Sequence, residues 1–269
     1  MSASGQKARQ KIRYMNSGMA MLFLAFLVPS ASEPSIRTPR ATCKKSQLFE
    51  AQSVVFWSTP SRVPGFFYQS GMAIDADGAF RAYHPNDKLG LDSLDHAGHR
   101  GNWWALVTED GKTSGRPVLQ KKSDPAPGYY VSTTALYDPG NSNPRDPRRY
   151  VDAAKIPYVV LHPSALKHAR LGDFATVVNL QNGKISAALV ADESAPDLPV
   201  GEGSIALAKA LRIDSNPRSG GKDGAVAYLI YPGSGNGRPR PLQEIVANSK
   251  RLFMAWGGLD KLNACLADE

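Results

Sequence analysis

Four carboxylates lie close together in the segment "VADESAPDLPVGEGSIALAKAL", between two apolar stretches: Asp192, Glu193, Asp197 and Glu202. Asp192 ends an apolar strand-like run, and Glu202 precedes an amphipathic helix that begins after Ser204. The proline-bearing loop between them predicts that both carboxylates face one cleft. Two carboxyl groups held apart across a groove can act as general acid and general base, which is the chemistry of glycoside hydrolysis.

The same segment has a simpler interpretation, which spacing alone leaves open. A solvated acidic loop needs no further function, and Glu202 would then stabilise the helix that follows it through the helix dipole. The functional interpretation makes one more prediction. Gly201 and Gly203, which lack side chains, would let a sugar chain approach the backbone beside Glu202.

Further residues suited to binding a sugar lie between positions 71 and 104. The sequence "GMAIDADGAFRAYHP" places Asp75 and Asp77 in a turn followed by Tyr83, and "GNWW" contains Trp103 and Trp104. An indole ring offers a flat apolar surface on which a sugar can stack. One of the two tryptophans is expected in the core. The two aspartates have an alternative interpretation as side chains that stabilise the turn.

The metal-binding patterns in the sequence are incomplete. The D-A-D-G turn at 75–78 resembles half of a calcium loop, but the downstream ligands and the closing glutamate are missing. His96 and His99 have an H-x-x-H spacing with Asp92 and Asp95 nearby, without any other part of a metal motif. We therefore predict no metal site and no organic cofactor.

Short apolar runs bounded by Gly, Pro, Asn or Asp indicate that strands position these residues. The runs cover residues 52–58, 65–74, 102–108, 128–136, 156–162, 173–180, 184–192 and 225–233. "QNG" predicts a hairpin between the runs at 173–180 and 184–192, because Asn-Gly favours the positive φ of a tight turn. Helices are predicted over 205–213, capped by Ser204, and over 241–256, ended by a Gly-Gly pair.

The N-terminus carries the features of a secretory signal. Four basic residues between positions 7 and 13 precede the 11-residue apolar run "GMAMLFLAFLV", and small residues follow. The run is too short for a comfortable membrane span. We predict a signal peptide at 1–32, a leader at 33–46 and a single domain at 47–269, in a protein secreted to the medium or the periplasm.

Charge and cysteine content limit the partners. The chain has a net charge of +8, and removal of residues 1–32, which hold four cations and no acids, lowers it to +4. The remaining basic residues are scattered and not interleaved with aromatic ones, which argues against nucleic-acid binding. Cys43 and Cys265 are predicted to form one disulfide in an exported chain, the alternative being two free buried thiols.

Several stretches, taken in order, resemble the fungal-type chitosanases of glycoside hydrolase family 75. They are "SGMAIDADGAFRAYHP", "GLDSLDHAG", "GNWWALVT", "DPAPGYYVSTTALYD", "DPRRYVDAAKIPYVVL", "GDFATVVN", "GEGSIALAKAL", "YPGSG" and "RLFMAWGG". The resemblance implies secreted, endo-acting hydrolysis of chitosan, the β-1,4-linked polymer of glucosamine, with inversion at the anomeric carbon. A pattern of "GD", "GK" and "GE" turns is also similar to double-psi β-barrels. We therefore expect a mainly β (α+β) fold with a double-psi-type barrel core and a few flanking helices.

The resemblance also assigns residues. The essential aspartate and glutamate of the family correspond to Asp192 in "LVAD" and Glu202 in "GEGS", and we predict Glu202 as general acid and Asp192 as general base. Family members often continue with "ADIGP", whereas this chain has "ADESAPDLPV", so Glu193 is an additional acid that can share or replace the role of Asp192. Chitosan carries protonated amines, so an acidic cleft is expected, and like charge would raise the pKa of Glu202. The acids expected to supply this field are Asp75, Asp77, Asp92, Asp95, Asp192, Glu193 and Asp197.

Two alternatives to a chitosanase remain open. A non-catalytic, expansin-like barrel would bind polysaccharide through Trp103, Trp104 and tyrosines. A hydrolase acting on peptidoglycan would suit the mild positive charge, because bacterial walls are anionic. In each case we expect a monomer whose partner is a polysaccharide, with no nucleic acid and no membrane after signal cleavage.

Overall fold

The computed structural model describes residues 43–267, which contain ten strands and four α-helices. The strands are β1 (Ser46–Ala51), β2 (Val54–Ser58), β3 (Phe66–Asp75), β4 (Gly98–His99), β5 (Asn102–Trp103), β6 (Tyr158–Leu161), β7 (Phe174–Asn179), β8 (Lys184–Glu193), β9 (Glu202–Ser204) and β10 (Lys222–Ile230). The helices are α1 (Pro163–Leu166), α2 (Ile205–Leu211), α3 (Leu242–Trp256) and α4 (Gly258–Ala267).

Six of the strands close into a barrel. The eight-stranded sheet has the order β1–β2–β3–β10–β7–β8–β6–β9, and β3 also pairs with β9, which closes the ring. The pairs β3–β9 and β6–β8 are parallel, and the other pairs of the ring are antiparallel. The closure confirms the predicted mainly β fold with a double-psi-type barrel core and flanking helices. Closure leaves the six strands of the ring without open edges, whereas β1 stays an edge strand of the sheet.

The β7–β8 hairpin forms where the sequence predicts it. All six residues of β7 are buried, and they pair with β8 from Phe174 opposite Leu189 to Asn179 opposite Lys184. The turn ends at Gly183, which has a φ of +69° and donates its N–H to the Asn179 carbonyl at 2.8 Å. This hairpin carries Asp192 at the far end of β8.

Both predicted helices are confirmed, and local signals explain their ends. The Ser204 hydroxyl accepts the backbone N–H of Leu207 at 3.1 Å and so caps α2. Gly257, with a φ of +129°, ends α3, and its N–H bonds back to the last turn. Because α2 follows β9 without a loop, its position is coupled to the strand that carries Glu202.

The long segment between β3 and β6 differs from the prediction. Strands were expected over 102–108 and 128–136, but β5 is two residues long and the rest forms isolated bridges such as that between Leu106 and Ser132. Several of the apolar residues, Val107, Val118 and Val131, instead form a small buried cluster of their own. Burial therefore accounts for the β-branched composition here without a regular ladder.

The ends of the chain are only partly described. Cys43 and Cys265 form the predicted disulfide, with their Cα atoms 4.7 Å apart. The predicted signal peptide at 1–32 and most of the leader at 33–46 lie outside the described residues, and both stay predictions. Between residues 43 and 267, none of the helices combines the length and the apolar character that crossing a membrane requires.

Candidate active site

One cleft of about 1080 Å³ collects most of the residues singled out in the sequence. Within residues 43–267, nine carboxylates line it, against two cations, Arg218 and Lys222. The nine are Asp75, Asp77, Asp92, Asp95, Asp192, Glu193, Asp197, Glu202 and Asp223. Residues 43–267 as a whole carry 26 lysines and arginines and 21 acids. Acid is therefore concentrated in the cleft of a chain that is otherwise basic.

The floor of the cleft is a row of side chains across four adjacent strands. Ala73 of β3 pairs with Glu202 of β9, and Val160 of β6 pairs with Glu202 on one side and Asp192 of β8 on the other. Paired residues on neighbouring strands point to the same face of a sheet, so the two carboxylates flank Val160. Strands lie about 4.8 Å apart, which separates the Cα atoms of Asp192 and Glu202 by about 10 Å.

The two glycines beside Glu202 pack closely against neighbouring elements, and the predicted approach of a sugar beside them stays a prediction. A Cβ atom on Gly201 would clash with the backbone oxygen of Gly71, and the φ of Gly201 is +109°. A Cβ atom on Gly203 would lie 2.7 Å from Cδ2 of Leu207. Close packing of β9 on β3 thus requires Gly201, whereas the nearest contact at Gly203 is the end of the Leu207 side chain in α2. Glu202 belongs to barrel strand β9, whereas the sequence predicted only that it immediately precedes the helix α2.

The electrostatic surroundings of Glu202 favour its protonated form. Burial raises the pKa of the Glu202 carboxyl well above its ordinary value, and the charges of Asp75 and Asp192 raise it further. Neutral carboxylic acids with raised pKa values are the usual proton donors of glycosidases.

Asp192 is held by the backbone. Its Oδ1 atom accepts the N–H of Ala135 at 3.0 Å and the N–H of Glu193 at 2.9 Å. Burial and the charge of Asp75 raise the pKa of Asp192 well above its ordinary value, while the two hydrogen bonds act in the opposite direction. The bonds orient the carboxylate and engage one oxygen, which leaves Oδ2 as a second acceptor.

Asp75 and Asp77 lie next to this pair and are supported by buried tyrosines. The Asp75 carboxylate accepts the Tyr158 hydroxyl at 2.8 Å and the N–H of Asp77 at 2.7 Å, and the Asp77 carboxylate accepts the Tyr83 hydroxyl at 2.7 Å. Burial raises the pKa of Asp75 to about 6. It also raises the pKa of Asp77 well above its ordinary value, with a further contribution from the charges of Asp75 and Asp192. Asp75 therefore stabilises its turn and lines the cleft at the same time.

Three of these carboxylates are close enough to share one cation. Oxygen atoms of Asp75, Asp77 and Asp192 lie within 4.8 Å of one another. A set made only of oxygen atoms suits a hard cation such as Ca²⁺ or an ammonium group. Each of the three already accepts hydrogen bonds from the protein, so their positions are fixed before any cation binds.

The two tryptophans take different positions. Trp104 lines the cleft with 55% of its surface exposed, and its Nε1 donates to the His96 carbonyl at 2.9 Å. Trp103 is partly buried and packs against the core. His96 also lines the cleft, with its Nδ1 2.9 Å from Oδ1 of Asp92.

Comparison with known families identifies the chain. The sequence model of the family described as "Fungal chitosanase of glycosyl hydrolase group 75" matches residues 107–255, more than half of the 269 residues. The chain belongs to this chitosanase family. The match confirms the family predicted from the sequence motifs. No curated protein matches the chain.

The match to the chitosanase family covers one part of the cleft. Asp192, Glu202 and Arg218 lie inside residues 107–255, whereas Asp75 and Trp104 precede them. The barrel explains how the two parts meet, because parallel pairing of β3 with β9 brings the end of β3 beside Glu202. Residues outside the matched segment thus complete the cleft of this chitosanase-family protein.

Some residues of the site were not predicted from the sequence. Tyr158 lies in an apolar strand, where its sequence context is that of a core residue. Arg218 and Asp223 lie in a polar region without a motif, and the cleft acquires them through pairing of Lys222 with Met72 between β10 and β3. No local signal marks a contact of this kind.

Proposed function

We propose that the protein is a secreted, endo-acting chitosanase that hydrolyses β-1,4 glucosamine linkages with inversion. Glu202 is the general acid and Asp192 is the general base. The observation that carries the proposal is the row in the cleft floor, in which the two carboxylates flank Val160 on neighbouring strands. Membership of the chitosanase family supports the substrate class, and an acidic cleft suits its protonated amines.

The strand geometry supports inversion. An inverting glycosidase keeps its two carboxyl groups about 6.5–9.5 Å apart so that a water molecule fits beside the sugar, whereas a retaining enzyme needs about 5–5.5 Å. Asp192 and Glu202 are two strand spacings apart, or about 10 Å between Cα atoms, and share one face. Partners on directly adjacent strands would have favoured retention.

The two carboxyl groups divide the proton transfers. Glu202, whose pKa is raised by burial and neighbouring charge, donates its proton to the glycosidic oxygen as the bond to the anomeric carbon breaks. Asp192 takes a proton from water, whose oxygen attacks that carbon from the opposite face. The product then carries an inverted reducing end. Asp192 is left protonated and Glu202 ionised, and exchange with solvent restores the starting state.

The other cleft residues bind the polymer. Asp75, Asp77 and Glu193 attract the ammonium groups of chitosan, and Tyr83 orients Asp77 through its hydroxyl. Trp104 offers its exposed indole to the apolar face of a sugar ring. Trp103, which packs against the core, is left out of the binding surface. The ionised carboxylates of the cleft would repel an anionic polymer such as peptidoglycan, so the charge of the cleft favours chitosan.

The experiment follows new reducing ends from highly deacetylated chitosan, with Asp192→Asn and Glu202→Gln beside the parent. Each substitution is expected to lower kcat about 10²–10⁴-fold, because it removes a general acid or base. Glu50→Gln, which changes an exposed acid of β1, is the matched control and keeps the parent rate. If the parent binds chitosan without cleaving it, the proposal of an enzyme is wrong and the chain is a polysaccharide-binding barrel.

A substrate with a good leaving group separates the two roles. A dinitrophenyl glycoside of a glucosamine oligomer needs no proton on its leaving oxygen, so Glu202→Gln is expected to cleave it nearly as fast as the parent does. Asp192→Asn is expected to stay slow, because it cannot activate water. The opposite pattern would exchange the two roles.

Secretion is tested separately. The signal predicted at 1–32 and the Cys43–Cys265 disulfide both suit an oxidising compartment outside the cytoplasm. Terminal sequencing of protein recovered from the medium is expected to begin near residue 33. Recovery of the full chain from the cytoplasm would contradict export.

A further inference from the structure

Arg218 is one of two cations in the wall of a cleft otherwise lined by acids. We propose that Arg218 is a positioning residue, which holds the wall segment 86–97 in place and, through it, the indole of Trp104 against a sugar of the substrate. The inference rests on the proposed function and adds to it a residue that determines affinity for the polymer without taking part in bond cleavage.

The guanidinium of Arg218 ties two loops together that are more than a hundred residues apart in sequence. Its Nη1 donates to the Asp87 carboxylate at 3.0 Å and to the Ser93 hydroxyl at 3.1 Å. Its Nη2 donates to the Asp92 carbonyl at 2.7 Å and to the Gly90 carbonyl at 3.3 Å. One side chain thus binds acceptors distributed along the whole turn between residues 87 and 93.

The turn that presents Arg218 is held by hydrogen bonds of its own. The Asn216 side chain accepts the N–H of Arg218 at 3.0 Å, and the Asn216 carbonyl accepts the N–H of Gly220 at 2.7 Å. Asp214 and Gly221 close the turn with a bridge. Because the backbone of Arg218 is fixed, its hydrogen bonds can fix the segment that they reach.

Two further hydrogen bonds connect the turn at 87–93 to Trp104, which is the proposed stacking residue for the sugar. The Asp92 side chain is 4% exposed, and its Oδ1 lies 2.9 Å from Nδ1 of His96. The His96 carbonyl accepts Nε1–H of Trp104 at 2.9 Å, and Trp104 is 55% exposed in the cleft. The chain Arg218–Asp92–His96–Trp104 therefore connects the guanidinium to the indole in the cleft.

An arginine is compatible with a cationic substrate here because its charge is already compensated. Its ion pair with Asp87 is 3.0 Å long, and the hydrogen bond from Arg218 lowers the pKa of Asp87, which keeps that carboxylate ionised. Lysine cannot replace it, since an ammonium has three donors and lacks the planar fork that reaches several acceptors at once.

The test is a double-mutant cycle with Arg218→Lys and Trp104→Ala, using a glucosamine hexamer as substrate. Each single variant is expected to raise KM about three- to tenfold, the range for loss of an aromatic contact, with kcat within about twofold of the parent. In the double variant, KM is expected to equal that of Trp104→Ala, because the two residues act through one contact. Arg240→Lys, at an exposed pair with Glu244, is the matched control and keeps the parent KM.

Different outcomes separate this inference from the proposed function. The positioning role would be overturned if the increases in KM of the two single variants multiplied in the double variant, or if kcat fell at unchanged KM. Neither result would affect the proposed function, because the parent would still cleave chitosan. If thermal unfolding shows that Arg218→Lys is not folded, Asp87→Asn serves as a second variant. It removes the ion pair with Arg218 and is also expected to raise KM. An unchanged KM in this variant would overturn the inference. A parent without activity would refute the proposed function, and the same cycle then applies to the Kd of the hexamer.

Discussion

Replacing Asp75 by asparagine is expected to stabilise the protein at neutral pH. Asp75 is 7% exposed, and burial raises its pKa from 3.8 to about 6. Asparagine keeps an acceptor for the N–H of Asp77, and the Tyr158 hydroxyl can donate to the Asp77 carbonyl, 3.0 Å away, in place of the lost carboxylate oxygen. The substitution removes a buried charge, and the new amide N–H can donate to the Tyr158 hydroxyl oxygen, which lies 2.8 Å from the carboxylate oxygen that the amide replaces.

The magnitude follows from proton linkage. The folded state binds the Asp75 proton more tightly than the unfolded chain does, so this stabilisation is complete below pH 3.8 and is lost as the pH rises through about 6. The interval between these values corresponds to about 3 kcal/mol of unfolding free energy above pH 6. Asparagine does not ionise and escapes the loss. The variant should therefore match the parent in acid and exceed it by up to about 3 kcal/mol at neutral pH.

Urea unfolding, followed by tryptophan fluorescence at several pH values between about 4 and 7, measures the difference. Glu50→Gln, a change of an exposed carboxylate, should follow the parent within about 0.5 kcal/mol at every pH. Parallel curves for the parent and Asp75→Asn across this range would refute the reasoning. So would a variant that is less stable than the parent at neutral pH.

Three further predictions concern the same cleft and its frame. The plot of kcat against pH is expected to be bell-shaped, because Glu202 loses its proton at high pH and Asp192 gains one at low pH. Asp75→Asn should move both limbs to lower pH, since the charge of Asp75 raises both pKa values. Limbs that stay in place in initial-rate measurements would contradict this electrostatic effect. Replacing both Cys43 and Cys265 by serine opens a loop with a sequence separation of 222 residues, which costs about 5 kcal/mol in the chain-entropy model; calorimetry should show a clearly lower Tm, and an unchanged Tm would contradict this. The free energy of unfolding of Gly201→Ala should be about 2–4 kcal/mol lower than that of the parent, because the added Cβ would meet the β3 backbone and φ at this position is positive. A variant as stable as the parent would exclude that clash.

Local signals in the sequence were sufficient where structure depends on neighbours along the chain. The "QNG" turn predicted the β7–β8 hairpin, and Ser204 predicted the start of α2. The pleat of β8 then placed Asp192 at the end of its strand. Each of these features is determined by residues that lie within a few positions of it along the chain.

Pairing between distant segments could not be read from the sequence in the same way. The three-residue strand β9 was not predicted, because its strand character comes from parallel pairing with β3, more than a hundred residues earlier. Arg218 has no motif, and its role depends on acceptors at 87–93 that only the fold brings near. The acidic residues were predicted as a group, whereas the order in which they line the floor required the barrel register.

The anomeric configuration of the first product tests the central claim most directly. Proton NMR of a glucosamine hexamer, recorded within the first turnovers, distinguishes the α and β reducing ends before mutarotation mixes them. The account predicts the α anomer from the parent and no product from Glu202→Gln in the same time. Appearance of the β anomer first would show retention, and would contradict the assignment of Asp192 as a base that activates water across the cleft from Glu202.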